Sequence, residues 1–171
     1  VKLSNIRKRI AESMHRSLAE MAQLTHHSST DATSMQNYRA KVKGLAASGG
    51  ANITLNDMIL FVVSRVLKQH KDMNAHFLGD KMRYFNDVNL GMAVDTDRGL
   101  MVPTLFQADR MSLEELSRKS KEMAEKCRSG AISPDMLSGG TFTISNLGIL
   151  GVEMFTPVIN PGNVGILGVG R

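Results

Sequence analysis

A chain of 171 residues that is 42% hydrophobic and 22% charged has the composition of one globular domain, which excludes a disordered protein. The net charge of +5 is moderate, and six Phe, two Tyr and no Trp leave few rings for stacking bases, so we expect no nucleic-acid partner. A single cysteine excludes an intrachain disulfide, and the most apolar run, 58–63, is too short to span a bilayer. With no visible signal peptide, we expect a domain of cytosolic type without a membrane partner.

The first predicted element is an amphipathic helix that begins after Ser4, the expected N-cap. Its apolar residues recur at helical spacing: Ile6, Ile10, Met14, Leu18 and Met21. Segment 24–30, rich in Thr, Ser and His, predicts a short strand. A second helix is expected to begin after Thr33 and to end in a flexible loop at 46–50. Four residues of that helix should face inward: Met35, Tyr38, Val42 and Leu45.

The strongest predicted helix begins at Thr54, which forms a capping-box-like start with Asp57. Its apolar surface is broad and predicts a largely buried helix: Leu55, Met58, Ile59, Val62, Val63, Val66 and Leu67. Three strands follow, at 82–85, 88–94 and 100–106. Pro103 indicates that the third lies at a sheet edge or contains a bulge, because proline cannot donate to a strand ladder.

A second capping box, Ser112 with Glu115, opens a helix that should end at Gly130. Its inward positions are Leu113, Leu116, Met123 and Cys127. Two strands complete the chain, one from Thr141 and one at 164–169. Helices that alternate with strands, some of them in hairpin-like pairs, predict an α/β fold, an α+β two-layer sandwich in which helices cover one side of a mixed sheet.

Histidine and cysteine offer no convincing site. His26 and His27 would point to opposite faces of a strand, and His15, His70 and His76 have no partner at a recognisable ligand spacing, so we predict no metal. Cys127 continues the inward stripe of its helix and is expected to be a buried residue rather than a reactive thiol.

The stretch GGTFTISNLG at 139–148 ends a strand with a hydroxyl, an amide and a turn. Ser145 is not in a Gly-x-Ser-x-Gly elbow, which disfavours a hydrolase nucleophile. Residue chemistry alone leaves two interpretations of Ser145, a turn residue or a catalytic hydroxyl, and favours the turn residue. The glycines of GILGVG at 165–170 are not arranged as a dinucleotide-binding fingerprint and predict a closely packed strand.

Several motifs in sequence order resemble the catalytic domain of dihydrolipoamide acyltransferases, the E2 components of 2-oxo acid dehydrogenase complexes. They are LSNIRKRIA at 3–11, Asn56-Asp57, strand 88–94 with DRGLMVP at 97–103, GGTFTISNLG at 139–148, TPVINP at 156–161 and GILGVG at 165–170. The resemblance implies a fold like that of chloramphenicol acetyltransferase. It also implies homotrimers with active sites between subunits, and assembly of the trimers into a larger core.

The resemblance further implies a reaction, its substrates and its partners. An acyl group moves between a dihydrolipoyl arm, carried on a separate lipoyl domain, and coenzyme A, which is a substrate. The E1 and E3 components of the complex are implied partners. The implied location is the cytoplasm of a bacterium, or the mitochondrial matrix if the source is eukaryotic.

In this family a serine at the position of Ser145 donates a hydrogen bond to the oxyanion of the tetrahedral intermediate. Asn146 and Gly148 are expected to shape the turn that aims it, and both are candidate contacts for substrate or coenzyme A. SNLG, where succinyl-transferring members have Thr-Asn-Gly-Gly, favours an acetyl or branched-chain enzyme, and INP at 159–161 favours acetyl transfer. Charge for coenzyme A is available at Arg7, Lys8 and Arg9, although a solvated helix face is the alternative use.

The family's general base is a histidine in an Asp-His-Arg-x-x-Asp-Gly motif, and no histidine here lies in such a motif. The expectation is therefore a partial catalytic domain over 1–171, truncated before the histidine motif and inactive by itself. Two alternatives remain open. One is a catalytically inactive, core-forming scaffold homologue, and the other is a stand-alone acyltransferase that acts on a small hydroxyl acceptor.

Overall fold

The computed structural model describes the backbone of residues 1–46 and 52–171, and the side chains of 1–43 and 52–171. Four α-helices are present in these ranges: α1 (Asn5–Glu20), α2 (Thr33–Ala46), α3 (Leu55–Gln69) and α4 (Leu113–Ser129). Six strands accompany them: β1 (Ala75–Phe77), β2 (Met82–Tyr84), β3 (Leu90–Met92), β4 (Thr104–Leu105), β5 (Phe142–Asn146) and β6 (Ile166–Val169). None of the helices described is both long enough and apolar enough to cross a membrane.

A four-stranded mixed sheet forms the centre of the domain, in the order β4-β3-β5-β6. Strand β3 runs antiparallel to β4 and parallel to β5, and β5 runs parallel to β6. Strands β1 and β2 form a separate antiparallel hairpin. The edge position of β4, which follows Pro103 directly, confirms the prediction for that strand, while β1 was not predicted from the sequence.

Helices α3 and α4 pack on one face of this sheet. Their buried Leu60, Leu116 and Met123 share one apolar core with Phe142 and Ile144 of β5. Because side chains alternate along a strand, Thr141, Thr143 and Ser145 point to the opposite face. The predicted two-layer arrangement is thereby confirmed, and it places Ser145 on the face away from α3 and α4.

The predicted helix starts are confirmed in atomic detail. Thr54 and Asp57 form a reciprocal capping box at α3, and Ser112 and Glu115 form one at α4. At α1, the Ser4 hydroxyl accepts a hydrogen bond from the Arg7 backbone N–H at 3.3 Å. These signals are local contacts within one turn, which explains why three of four helix starts were readable from the sequence.

Several inward-facing predictions were wrong. The side chains of Val62 and Val66 on α3 are 53% and 43% exposed, and Leu18 on α1 is 59% exposed. Tyr38 on α2 is likewise half-exposed. A helix in one layer has one neighbouring sheet and buries a single face, so a broad apolar surface overestimates its burial within this chain.

The strand predicted at 24–30 is absent, since these residues have no ladder partner in the described chain and all are exposed. The strand preference of Thr reflects fit to a half-buried pleated surface, and the described residues offer no such surface to this segment. The loop predicted at 46–50 lies, beyond the helical backbone of Ala46, outside the described residues, as does the side chain of Leu45.

Candidate active site

Ser145 lies near the carboxyl end of β5, one of the two central strands of the sheet, and its side chain is half-buried. Its partner in the neighbouring strand β6 is Gly168. A Cβ at Gly168 would come within 3.1 Å of Phe155 and Pro157, so segment 155–157 packs closely over β6 beside the serine. The glycine at this point lets the chain cover β6 directly next to Ser145.

Three hydroxyls lie on the same face of this strand, and two of them are buried and bonded. Thr141 Oγ1 donates to Asn74 Oδ1 at 2.5 Å. Thr143 Oγ1 donates to Asn163 Oδ1 at 3.0 Å and accepts from Asn160 Nδ2 at 2.9 Å. The Ser145 hydroxyl has no hydrogen-bond partner among the described residues. Of the three, Ser145 alone keeps its donor available for another molecule.

The turn after Ser145 is held by the amide of Asn146. Its Oδ1 accepts a hydrogen bond from the Gly148 backbone N–H at 3.0 Å, which closes an Asx-type turn. Its Nδ2 donates to Asn56 Oδ1 at the start of α3, at 3.1 Å. Both ends of the Asn146 amide are thus engaged within the chain, and its predicted contact with a ligand stays a prediction.

Gly148 lies where the turn touches the end of β6. A Cβ at this position would lie 2.6 Å from the backbone oxygen of Gly170, closer than any real side chain is found. The same contact zone is tied by backbone hydrogen bonds from Leu147 N to Val169 O at 3.0 Å and from Arg171 N to Val152 O at 2.9 Å. The turn that follows Ser145 is therefore fixed by backbone packing that only glycine permits.

A polar cavity of about 340 Å³ opens on the same face of the sheet, toward the amino end of β5. Thr143 and Asn163 contribute to its lining, together with Arg16 of α1. His76 also lines it, and its Nε2 lies 2.8 Å from the Gly140 carbonyl oxygen. Because a carbonyl can only accept, Nε2 carries the proton of that hydrogen bond. The lining does not include Ser145.

The other candidate residues are placed apart from Ser145's turn. His26 and His27 are exposed, and no cluster of three His, Cys, Asp or Glu suited to a metal ion occurs in 1–46 or 52–171. Cys127 is fully buried on α4, which confirms that prediction, and burial raises the pKa of its thiol. The predicted basic group of Arg7, Lys8 and Arg9 is exposed on α1.

Sequence reasoning missed the asparagines that organise this region. Asn56 was read only as part of a helix start, and the buried Asn74 and Asn163 were not singled out. For Asn56 the available signal is an amide at the start of a predicted buried helix, because buried amides require partners, whereas Asn74 and Asn163 lie in polar or glycine-rich stretches without such a signal. Such a signal indicates that a residue forms a hydrogen bond but does not identify its partner, which for Asn56 is Asn146, 90 positions away.

The family model for the 2-oxoacid dehydrogenases acyltransferase (catalytic domain) matches residues 1–171. The chain belongs to this family. The resemblance drawn from the sequence motifs is therefore confirmed, and so is the fold class, because solved catalytic cores of this family superpose on the whole chain.

Two curated relatives illustrate the sequence similarity. The chain is 36% identical over 171 residues to the dihydrolipoyllysine-residue acetyltransferase component of the acetoin cleaving system of Bacillus subtilis. It is 34% identical over 172 residues to the corresponding component of the pyruvate dehydrogenase complex of Mycoplasma capricolum. Each match covers 99% of this chain but only 43% and 39% of the respective relative. The chain thus spans about two fifths of the length of these relatives.

Two solved structures illustrate the structural similarity. Dihydrolipoamide acetyltransferase of Azotobacter vinelandii, studied for the roles of a serine, a histidine and an asparagine in its catalytic mechanism, matches with a TM-score of 0.96 at 33% identity. That match covers 100% of this chain and 71% of the other. A truncated catalytic core of the 2-oxoacid dehydrogenase multienzyme complex from Thermoplasma acidophilum matches with a TM-score of 0.93 at 31% identity, over 100% of this chain and 79% of the other.

Proposed function

We propose that this domain transfers an acyl group, most simply acetyl, between a dihydrolipoyl thiol and coenzyme A. The observation that carries the proposal is the half-buried Ser145 hydroxyl at the end of β5, which has no hydrogen-bond partner among the described residues and precedes a turn held by the Asn146 amide. The names of the relatives, acetyltransferase components of acetoin and pyruvate systems, support both the reaction and the acetyl group.

In the proposed reaction a thiolate sulfur attacks the thioester carbonyl carbon and forms a new carbon–sulfur bond. The carbonyl oxygen becomes an oxyanion, and the Ser145 O–H donates a hydrogen bond to it. Collapse of the intermediate restores the carbonyl and expels the other sulfur as a thiolate. Donation is stronger to the oxyanion than to the ground-state carbonyl, so this contact stabilises the transition state selectively.

The attacking thiol must lose a proton to a base, which returns it to the departing sulfur. None of the five histidines lies in the family's base motif, and His76 already donates to the Gly140 carbonyl oxygen. We therefore assign the base to none of these five histidines. The proposal includes the trimer with active sites between subunits, the lipoyl domain and the E1 and E3 components as partners, and a cytoplasmic or mitochondrial-matrix location.

The test is an acyl-transfer assay with acetyl-coenzyme A and dihydrolipoamide, run on the complete gene product. We expect turnover by the wild type and a 100- to 1000-fold lower kcat in Ser145→Ala, with the KM for acetyl-coenzyme A little changed, because one oxyanion donor contributes about 3–4 kcal/mol. Ser129→Ala is the matched control, since Ser129 is an exposed serine at the end of α4. Its activity should equal that of the wild type.

Two results would contradict the proposal at different levels. Equal kcat in Ser145→Ala and Ser129→Ala would remove Ser145 from the mechanism. A folded wild-type protein that transfers no acetyl group to dihydrolipoamide would refute the activity itself and favour the scaffold alternative.

A further inference from the structure

We propose that Asn56 is a positioning residue for the reaction, acting through Asn146 to orient the strand end that carries Ser145. The inference rests on the proposed function of Ser145. It assigns a role to a side chain on α3, on the opposite side of the sheet from the reacting groups. Asn56 itself touches no substrate in this scheme.

The Asn146 amide forms a hydrogen bond at each of its two ends. Its Oδ1 holds the Gly148 N–H at 3.0 Å and so closes the turn, while its Nδ2 donates to Asn56 Oδ1 at 3.1 Å. The amide is planar, so the bond at one end fixes the rotation that the other end requires. Asn146 directly follows Ser145, and its fixed side chain therefore restrains the backbone torsions that aim the serine hydroxyl.

Asn56 offers a rigid acceptor because of its place in the helix. It lies in the first turn of α3, between the N-cap Thr54 and the buried Asp57. The Asp57 carboxylate accepts hydrogen bonds from Ser117 Oγ at 2.9 Å and from Ser120 Oγ at 2.8 Å, which tie the start of α3 to α4. The acceptor for Asn146 is consequently anchored to two helices packed against each other.

The orientation of the Asn56 amide is also set from its other end. Its Nδ2 lies 4.0 Å from the Met92 sulfur on β3, a weak acceptor that a nitrogen donor can face. With its Nδ2 facing Met92, Asn56 turns its Oδ1 toward Asn146 and accepts the hydrogen bond from Asn146 Nδ2. The hydrogen-bonding roles at both ends agree with a single orientation of the amide.

Removing the Asn56 acceptor oxygen releases one end of the Asn146 amide without exposing the hydrophobic core. Asn56 and Asn146 are both only half-buried, so water can replace the lost bond and the fold should persist. What is lost is the fixed rotation of the Asn146 amide. A small error in the position of a reacting or stabilising group lowers the rate strongly. We expect about a tenfold fall in kcat with KM unchanged.

The experiment uses the complete gene product and measures acetyl transfer to dihydrolipoamide and urea unfolding in parallel. Asn56→Leu keeps the approximate shape without the acceptor, and Asn56→Ala is a smaller variant in case leucine disturbs the fold. Both should lose about tenfold in kcat. Asn56→Asp retains the acceptor oxygen in a helix first turn, where a carboxylate is tolerated, and should recover most of the rate.

A double-mutant comparison shows whether Asn56 acts through the serine. Combined with Ser145→Ala, the Asn56→Leu change should cost no further activity, because the group that it positions is already gone. The inference is overturned if Asn56→Leu and Asn56→Ala both keep wild-type kcat, if Asn56→Asp recovers nothing, or if the double variant loses a further tenfold. Wild-type kcat in both Asn56 variants beside a large loss in Ser145→Ala overturns only this inference. Absence of transfer by the wild type overturns the proposed function as well.

Discussion

Replacement of Asp57 by alanine should destabilise the domain by about 4 kcal/mol. The carboxylate is 2% exposed and accepts hydrogen bonds from Thr54 N at 2.9 Å, Ser117 Oγ at 2.9 Å and Ser120 Oγ at 2.8 Å. The Lys121 ammonium lies 3.7 Å away, and the Lys121 side chain is 44% exposed. A buried carboxylate with this many donors links α3 to α4, and alanine removes every one of these contacts.

The magnitude of this destabilisation follows from the hydrogen bonds that each partner of Asp57 keeps after the substitution. Loss of the carboxylate half of the capping box, the hydrogen bond from the Thr54 N–H, costs about 1 kcal/mol. The Ser117 hydroxyl loses the acceptor for its proton while staying fully buried, which costs about 2 kcal/mol. Ser120 keeps a second acceptor, the Ser117 carbonyl oxygen at 3.0 Å, so its share is nearer 1 kcal/mol. Lys121 can turn into water at little cost. The sum is a large fraction of the 5–15 kcal/mol that holds a domain of this kind together.

Urea unfolding followed by far-UV circular dichroism measures the effect, since the chain has no tryptophan. At a slope of about 2 kcal/mol/M, the midpoint should fall by about 2 M. Glu115→Ala is the matched control, because Glu115 occupies the same capping-box position in α4 and is exposed. Its loss should be less than half of that in Asp57→Ala. Equal losses in the two variants would refute the argument that buried serine partners make Asp57 special.

Gly148→Ala should lower stability by about 1–3 kcal/mol and reduce acetyl transfer, because its Cβ would lie 2.6 Å from the Gly170 carbonyl oxygen. Urea unfolding and the transfer assay measure both, and wild-type values would show that the turn can shift freely. Burial raises the pKa of the Cys127 thiol, so its contribution to stability is complete below the unfolded-state pKa of about 8.5 and is lost as pH rises. Between pH 7 and 10 the wild-type midpoint should therefore fall more steeply than that of Cys127→Ala, and parallel profiles would contradict this.

Much of the fold was predictable because its signals are short-range. The capping boxes at Thr54 and Ser112 join residues three positions apart, and both helices begin where these pairs indicate. The wrong predictions concern what a residue packs against or pairs with, and not its intrinsic preference for helix, strand or core. Val62 has the apolar character of a core residue but points away from the one sheet against which α3 packs, and segment 24–30 has strand-like composition without a strand to pair with.

The candidate site likewise has one part that was predictable from the sequence and one part that was not. The motif at 139–148 indicated both the family and the serine, because those residues are contiguous. The support for that serine was not predictable, since its hydrogen bonds join distant parts of the chain. Asn146 bonds to Asn56 across 90 positions, and Thr143 to Asn163 across 20. An amide or hydroxyl in a sequence indicates that a hydrogen-bond partner is needed if the group is buried, but it does not identify the residue that supplies this partner.

By itself the sequence determined where three of the four helices start, which residues of β5 share a face and to which family the chain belongs, because capping, strand alternation and contiguous motifs are local properties. Only the tertiary structure decided which hydroxyl on that face stays unbonded. Thr141 is satisfied by Asn74 and Thr143 by Asn163, whereas no described residue reaches Ser145. The reason is physical: the strand's alternation places three equivalent hydroxyls in a row, and long-range packing brings acceptors to the first two.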